Sequence, residues 1–376
     1  MNEYYDIVIV GAGVAGSAAA TTFKRQGHEV LLLERSLKEP DRIVGELLQP
    51  GGVAALDQLE LGSAVDDINA IPVGGYHIYW KDEEVTFHYP ALNESQDSSN
   101  LSASSIDLTP GAKYSHRSER RSFHHGRFVS RLRDTARTEA KVALLEGTVT
   151  SIVTDKHIVK VIGVDCSCTG AHLAVVADGS TKSRFWGLEL YEVELPYHGF
   201  AYGLIGRGLS ILVYQIGSRE TRILIDIPNL IHDATLAIGG TIREYIEEAV
   251  VPTLPEYVGT KVMSALIHGR LHPAAIALAD TAAVHKRLQR FHRKLKAHST
   301  SLNILAQALY TLFVADDPQL EIMQHGFVGY IQLGGKYAEE PSGLMGGVYH
   351  NPVLLFHHFF AIALWSMWLL IRGSPI

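Results

Sequence analysis

Along this chain of 376 residues, apolar and polar positions fall into blocks whose period changes. Tyr5 to Val10 is a short apolar run closed by Gly11, Val14 to Arg25 carries the helical period and ends at Gly27, and Val30 to Leu33 is apolar again. Strand, glycine turn, helix, strand is the order of a βαβ unit, because parallel strands need a crossover helix. Asn93 to Arg120 breaks the pattern. With eight serines, few apolar residues and a Pro110-Gly111 turn, it reads as a solvated loop or insertion. Phe128 to Ala140 is helical and basic, and Ala143 to Val164 carries β-branched runs. Val175 and Val176 lead a strand into an Asp178-Gly179 turn. From Phe185 to Pro228 short strands alternate, among them Ile211 to Gln215 and Thr221 to Ile227, which predicts a second, mixed sheet. Ile242 to Val251 starts an acidic helix, and from Ala274 onward the pattern is mainly helical.

Leu354 to Ile371 contains no Asp, Glu, Lys or Arg over 18 residues. As a helix it would extend about 27 Å at 1.5 Å per residue, nearly the thickness of a hydrocarbon core. Trp365 and Trp368 sit toward one end, where amphipathic rings favour a membrane interface. A buried core helix is the alternative home. The favoured reading is attachment to one face of the bilayer rather than a span.

Composition narrows the function classes. Acidic residues outnumber basic ones, 40 to 33, for a net charge of −7, so a general nucleic-acid surface is not expected. Cys166 and Cys168 are too few for a disulfide framework or a zinc ribbon and fit a reducing compartment. The first residues run straight into a strand, without the pattern of a secretory signal. Two glycosylation-like sites at Asn93 and Asn100 are read as chance in a Ser-rich stretch.

The candidate chemistry begins at Gly11, Gly13 and Gly16, which have the G-x-G-x-x-G spacing directly after a strand and at the start of a helix. Gly11 allows the tight turn, Gly13 lets backbone approach a pyrophosphate, and Gly16 lets helix and sheet pack closely. The helix N-terminus then offers N–H groups to the anion. Glu34, at the end of the next strand and 18 residues past Gly16, is placed to accept ribose hydroxyls. His124 and His125 are read as neighbours on a strand, pointing to opposite faces and forming no metal pair. No metal site is expected.

Lys38 to Gly52, KEPDRIVGELLQPGG, is explained by neither periodicity nor core filling. It resembles the squalene monooxygenase (squalene epoxidase) family, whose members carry a nearly identical run after the nucleotide fold, and the wording looks fungal. Gly75-Tyr76, Arg121 to Phe128, Glu146 to Val149, Val175 to Gly179, Tyr214 to Ile216, Glu220 to Arg222, Asn303 to Tyr310 and Leu333 to Gly335 are also similar. The resemblance implies an α/β FAD-dependent monooxygenase fold. A Rossmann-type FAD domain would be interleaved with a mixed-sheet substrate domain, with a helical membrane-associated tail. The implied division is 1–75 and 126–184 for FAD, 76–125 and 185–272 for substrate, 273–350 helical, and 351–376 at the membrane.

The implied reaction is epoxidation of squalene or a related triterpene precursor through a flavin hydroperoxide, in sterol or triterpenoid biosynthesis. NADPH supplies electrons through NADPH-cytochrome P450 reductase at the endoplasmic reticulum membrane, with the catalytic domain facing the cytosol. By the same resemblance Val14, Ala15, Glu34 and Arg35 line the adenosine end, Arg42 and Arg127 approach the cofactor, and Val149 contacts the adenine side. Tyr76 lies beside flavin and substrate, orienting a glutamine. On residue chemistry alone, Arg42 and Arg127 also suit surface ion pairs, and Tyr76 a core aromatic. Glu46 is read as the partner of a nearby arginine in the same run rather than as a proton donor.

The chain departs from the family in one place that bears on activity. A second flavin segment, a Gly-Asp motif followed by a glycine-rich turn, has no counterpart. His268 to His272 passes directly to Pro273 to Asp280, read as the helix that follows the motif, in which Asp280 is a helix residue and not a substitute ligand. The stretch after Asp178-Gly179 is shortened, and the tail stops after one apolar helix where relatives continue to another. A second expectation follows from these departures: a catalytically impaired remnant or incomplete gene product that keeps dinucleotide or lipid affinity without turnover.

Overall fold

The protein is described from a computed structural model at residues 4–43, 45–81, 83–90, 121–155, 158–163, 169–177, 182–206, 209–227, 241–269, 271–276, 304–309, 311–313, 317–349 and 351–372. The Ser-rich stretch with its Asn93 and Asn100, the cysteines, the Asp178-Gly179 turn, Asn303, Tyr310 and Asp280 lie outside these residues.

The opening unit is β1 (Tyr4–Val10), α1 (Val14–Arg25) and β2 (Val30–Glu34). β1 pairs in parallel with β2 because α1 carries the chain back across the sheet. Later segments join it. β8 (Ala143–Glu146) extends it in parallel beyond β2, and β11 (Thr169–Val176) pairs in parallel with β1. β9 (Val149–Asp155) and β10 (Ile158–Gly163) add two antiparallel strands, giving the order β8-β2-β1-β11-β10-β9. The central strands are apolar on both faces, as a sheet covered on both sides requires. Ile7, Ile9, Val30 and Leu32 pack toward Ala20 and Ala136, while Val8, Leu31 and Leu33 pack toward Val161 and Ala171.

A seven-stranded sheet forms the second layer, in the order β16-β12-β15-β14-β13-β5-β6. Its strands are β5 (Gly75–Trp80), β6 (Glu83–His88), β12 (Lys182–Tyr191), β13 (Phe200–Gly206), β14 (Leu209–Gln215), β15 (Glu220–Asp226) and β16 (His272–Ile276). All neighbours are antiparallel except β13 and β5, which makes the sheet mixed. One face is covered by Ile242, Ile246, Val258, Val262 and Leu266 from the segment 242–268. Three two-residue strands, β3 (Leu47–Leu48), β7 (Arg121–Ser122) and β4 (Ile71–Pro72), form a small sheet that carries the chain between the two large ones.

Two local expectations are corrected. His272 to Ile276 is a strand, not the start of a helix, and pairs antiparallel with β12. The free edge of β12 offers backbone groups that an extended segment satisfies, and Pro273 is tolerated because β16 is the edge strand. His124 and His125 are not on a strand. His124 stands at the N-cap position of the helix His125–Asp134, without a capping bond from its side chain, and His125 is the helix's first residue.

The other helices are α2 (Pro50–Gln58), α3 (His125–Asp134), α4 (Ile242–Tyr245), α5 (Glu256–His268), α6 (Pro318–Gln332), α7 (Lys336–Met345) and α8 (Pro352–Ile371). α6 is tied to the β5–β6 hairpin: Trp80 Nε1 donates to Gln324 Oε1 at 2.8 Å, and its indole stacks on His325. α8 lies close against α6, because a side-chain carbon on Gly326 would overlap Ser366 and one on Gly329 would sit 3.2 Å from Trp365 Nε1. One stripe of α8 is therefore docked, with Leu355, His358 and Ser366 buried, while its remaining surface faces outward.

Candidate active site

Gly11 has φ +99°, a conformation that L side chains rarely adopt, and turns the chain from β1 toward α1. A side-chain carbon on Gly16 would overlap the Gly11 carbonyl oxygen, so the close approach of helix and strand requires glycine there. Gly13 is the opposite case: a side-chain carbon there meets nothing within 4 Å. The turn thus leaves open space in front of the N-terminus of α1, whose first turn has no acidic residue to compete for an anion.

Glu34 joins this loop directly, its Oε2 accepting the Ala12 N–H at 2.7 Å. A residue the sequence reading missed fixes both. The buried Arg133 of α3 donates from Nε to the Ala12 carbonyl at 2.7 Å, reaches the Ser36 and Lys38 carbonyls, and lies 3.4 Å from Glu34 Oε2. Arg35, Val14 and Ala15 stand at the same end of the sheet, Arg35 and Ala15 exposed and Val14 half-buried. β8 aligns Glu34 with Glu146, and Gly147 donates to the Glu34 carbonyl, which brings the turn leading to Val149 beside them.

Arg42 and Arg127 gather at the start of α3 with the two histidines. His125 Nδ1 donates to the Gly45 carbonyl at 3.3 Å. Burial pulls His125 below its ordinary value against that hydrogen bond, and Arg42 and Arg133 add to the downward push. His124 is lowered by burial first and then by Arg127. Among the described residues no group of three or more His, Cys, Asp or Glu side chains could hold a metal ion.

Because both imidazoles bind protons less readily folded than unfolded, the stability they contribute is present above about pH 6.5 and is lost as pH falls through their folded values. The urea midpoint should therefore fall between pH 7 and 5, and by less in a His124→Asn/His125→Asn variant. An equal fall in both proteins would contradict this assignment.

Tyr76, on β5, meets Gln49, the N-cap residue of α2 inside the KEPDRIVGELLQPGG run. Gln49 Nε2 donates to the Tyr76 hydroxyl at 2.9 Å, and the Tyr89 hydroxyl donates to Gln49 Oε1 at 2.5 Å. Beneath this group Glu46 is buried and bound by two 2.7 Å bonds from the Arg222 guanidinium, with Glu189 at 3.5 Å. Burial lowers Arg222, but the hydrogen bond and charge of Glu46 outweigh it and raise the group above its ordinary value. Tyr214 donates to Glu46 at 3.4 Å and is held well above its ordinary value by burial and then by that carboxylate. Glu46 is thus an arginine's partner, but the arginine comes from β15.

Tyr76 also packs on two apolar clusters. One holds Ile43, Val73 and Ile216, and the other holds Ile78, Phe327 and Ile331. Leu309, Leu312, Phe327, Met345 and Ile362 of the second cluster also line a cavity of about 620 Å³ between the helices of residues 304–362. Its lining is apolar except for Gln307, Thr311 and His358. His358 is occupied, within 3.0 Å of the Tyr330 hydroxyl and 2.7 Å of Glu340.

Comparison with known proteins settles the lineage. The family described as "Squalene epoxidase" matches residues 172–276 and 264–376. Squalene epoxidase erg1 of Aspergillus fumigatus is 38% identical, covering all of this chain and 88% of that protein. The chain belongs to the squalene epoxidase family. Another epoxidase-family relative, squalene epoxidase ERG1 of Gibberella zeae, is 33% identical over 97% of this chain and 87% of its own. The family described as "Glucose inhibited division protein A" matches residues 6–193, which contain nearly all of the six-stranded sheet and strands β5, β6 and β12 of the other.

Among solved structures, a flavoprotein/dehydrogenase from Cytophaga hutchinsonii superposes with a TM-score of 0.69 over 98% of this chain and all of its own at 15% identity, a likeness of fold alone. The fold is that of the FAD-dependent monooxygenases and halogenases. The alignment with the Aspergillus fumigatus epoxidase runs over 446 positions, more than this chain contains, so that relative carries stretches without a counterpart here.

Proposed function

We propose that this epoxidase-family chain is an FAD-dependent squalene monooxygenase that converts squalene, or a closely related polyene, to its terminal epoxide. Its electrons come from NADPH through a reductase of the cytochrome P450 reductase type, and it works on the cytosolic face of the endoplasmic reticulum membrane. The observation that carries this reading is the place of the Gln49–Tyr76 pair: Tyr76 packs both on the cluster of Ile43 and on the cluster whose Leu309, Leu312, Phe327, Met345 and Ile362 also line a large apolar cavity.

The residues present fit the adenosine and pyrophosphate half of FAD. Gly13 leaves open the space that the pyrophosphate needs, α1 presents its N-terminus, and Glu34, held by Arg133 and Ala12 at the end of β2, is the carboxylate that would take the ribose. Arg35, Val14, Ala15 and Val149 would line the adenosine end, and Arg42 and Arg127 would face the cofactor from the start of α3. When bound, FAD supplies the activation of O₂.

The rest falls to the chain. A hydrocarbon offers no hydrogen bonds, so its hold on the protein comes from apolar area in a cavity of the size that ligands of this class occupy. The same apolar walls keep water from the oxygen to be transferred. Tyr76 and Gln49 would offer hydrogen-bonding groups to an epoxide oxygen from behind the apolar cluster that also lines the cavity.

The outward face of α8 supports attachment to one membrane leaflet. Its sequence has a mean hydropathy of 1.8 and only 17% of that stretch is buried, so most of its apolar surface awaits lipid, while its docked stripe keeps it against the cavity wall. Squalene dissolved in the bilayer would enter beside it without crossing water.

A substitution at Gly13 tests the cofactor site. Gly13→Val adds its carbons to open space and should fold as the wild type does, whereas FAD affinity should drop by about a hundredfold, a loss of about 2.7 kcal/mol. Flavin fluorescence quenching on titration into the purified chain reads the affinity. Equal binding by both proteins would remove the pyrophosphate from this loop.

A further inference from the structure

Gln49 is gripped from two sides, and only one of its partners belongs to the proposed reaction. A carboxamide between two phenols can in principle turn end for end, since each hydroxyl both donates and accepts. The distances decide between the two orientations. At 2.5 Å the contact to Tyr89 has the length of an O–H···O bond and is too short for N–H···O, while 2.9 Å to Tyr76 is the usual N–H···O length. Tyr89 therefore claims the amide oxygen and leaves the N–H group for Tyr76.

Tyr89 is itself held by the turn after α7. A side-chain carbon on Gly346 would come within 2.9 Å of the Tyr89 ring, Gly51 donates to the Gly346 carbonyl at 3.0 Å, and Ser342 Oγ donates to the His88 carbonyl at 2.7 Å. The turn thus touches Tyr89 and the helix that Gln49 caps, while α7 ahead of it holds the residue before Tyr89. The helix ahead of that turn supplies Leu344 and Met345 to the cavity wall.

We propose that Tyr89 is a positioning residue that fixes the Gln49 carboxamide with its N–H toward Tyr76, and that the Gly346–Gly347 turn after α7 holds Tyr89 in that place. The inference rests on the proposed oxygenation, so its test has one readout that needs turnover and one that does not.

In the full chain labelled with ¹³Cζ-tyrosine, the Tyr76 resonance is assigned by its loss in Tyr76→Phe. Tyr89→Phe, Gln49→Leu and Gly346→Ala should all shift that resonance in the same direction. With FAD, reductase, NADPH and squalene, Tyr89→Phe should lower kcat by about tenfold, the scale of one hydrogen bond, with KM nearly unchanged. In a Gln49→Leu background the same substitution should cost no more than about twofold, because the residues act as one unit.

A Tyr76 resonance that stays at its wild-type position in Tyr89→Phe would overturn the proposal, as would a tenfold loss of kcat that persists without Gln49. An unchanged kcat in Tyr89→Phe would also overturn it. A wild type that gives no product refutes the functional reading instead, and the resonance alone then decides whether Tyr89 orients the amide.

Discussion

Arg222→Met should be among the most damaging single substitutions in the described protein. It takes the guanidinium away from the Glu46 carboxylate, 1% exposed, and leaves it the 3.4 Å contact from Tyr214. Removing one member of a buried ion pair costs about 3–5 kcal/mol, because the remaining charge keeps its desolvation penalty without its partner. The loss should appear as a lower urea midpoint. Glu46→Leu/Arg222→Met, which removes both charges and fills the space, should recover most of it, since apolar replacements of a buried pair are often neutral. A double variant as unstable as the single one would show that the pair's specific geometry, not its charge balance, holds the Glu46 loop to β15.

Charging the outward face of α8 should detach the protein from membranes while leaving its fold intact. Phe356, Phe360 and Leu364 are 65%, 48% and 61% exposed, so glutamate at these three positions displaces little protein packing. Each apolar side chain that enters lipid contributes about 1.5–3 kcal/mol, and a carboxylate removes that gain and adds the cost of burying a charge. The wild type should remain in the membrane pellet after a carbonate wash and the triple variant should move to the supernatant with unchanged circular dichroism. Removal of residues 354–376 should also release the protein. If the triple variant stays in the pellet, the attachment lies elsewhere in the chain.

The parts of this molecule that were legible in the sequence are those decided by neighbours along the chain. β1, α1 and β2 follow from apolar runs, helical period and glycine spacing, all within residues 4–34. The mixed sheet was visible as alternating short strands. The helix at 352–371 was visible because no charge interrupts it, although its docked stripe was not, since that depends on Gly326 and Gly329 of another helix.

The supports of the site were illegible for a physical reason. Arg133 meets Ala12 across 121 positions, Arg222 meets Glu46 across 176, and Tyr89 meets Gln49 across 40. No local pattern marks an arginine or tyrosine whose partner is that distant. The basic helix around Arg133 and the similar segment at Glu220 to Arg222 were the available signals, and neither says which buried group is waiting. The strand at His272–Ile276 was read as helix because its Pro and two Ala residues carry little β signal of their own; the free edge of β12 decided its conformation.

Oxygen transfer by the chain as it is remains the most direct test of the proposed epoxidation. The full-length protein in detergent, with FAD, NADPH, reductase, squalene and ¹⁸O₂, should yield 2,3-oxidosqualene carrying one ¹⁸O atom, and no labelled product when FAD is left out. A protein that remains colourless after incubation with saturating FAD and forms no epoxide would contradict it.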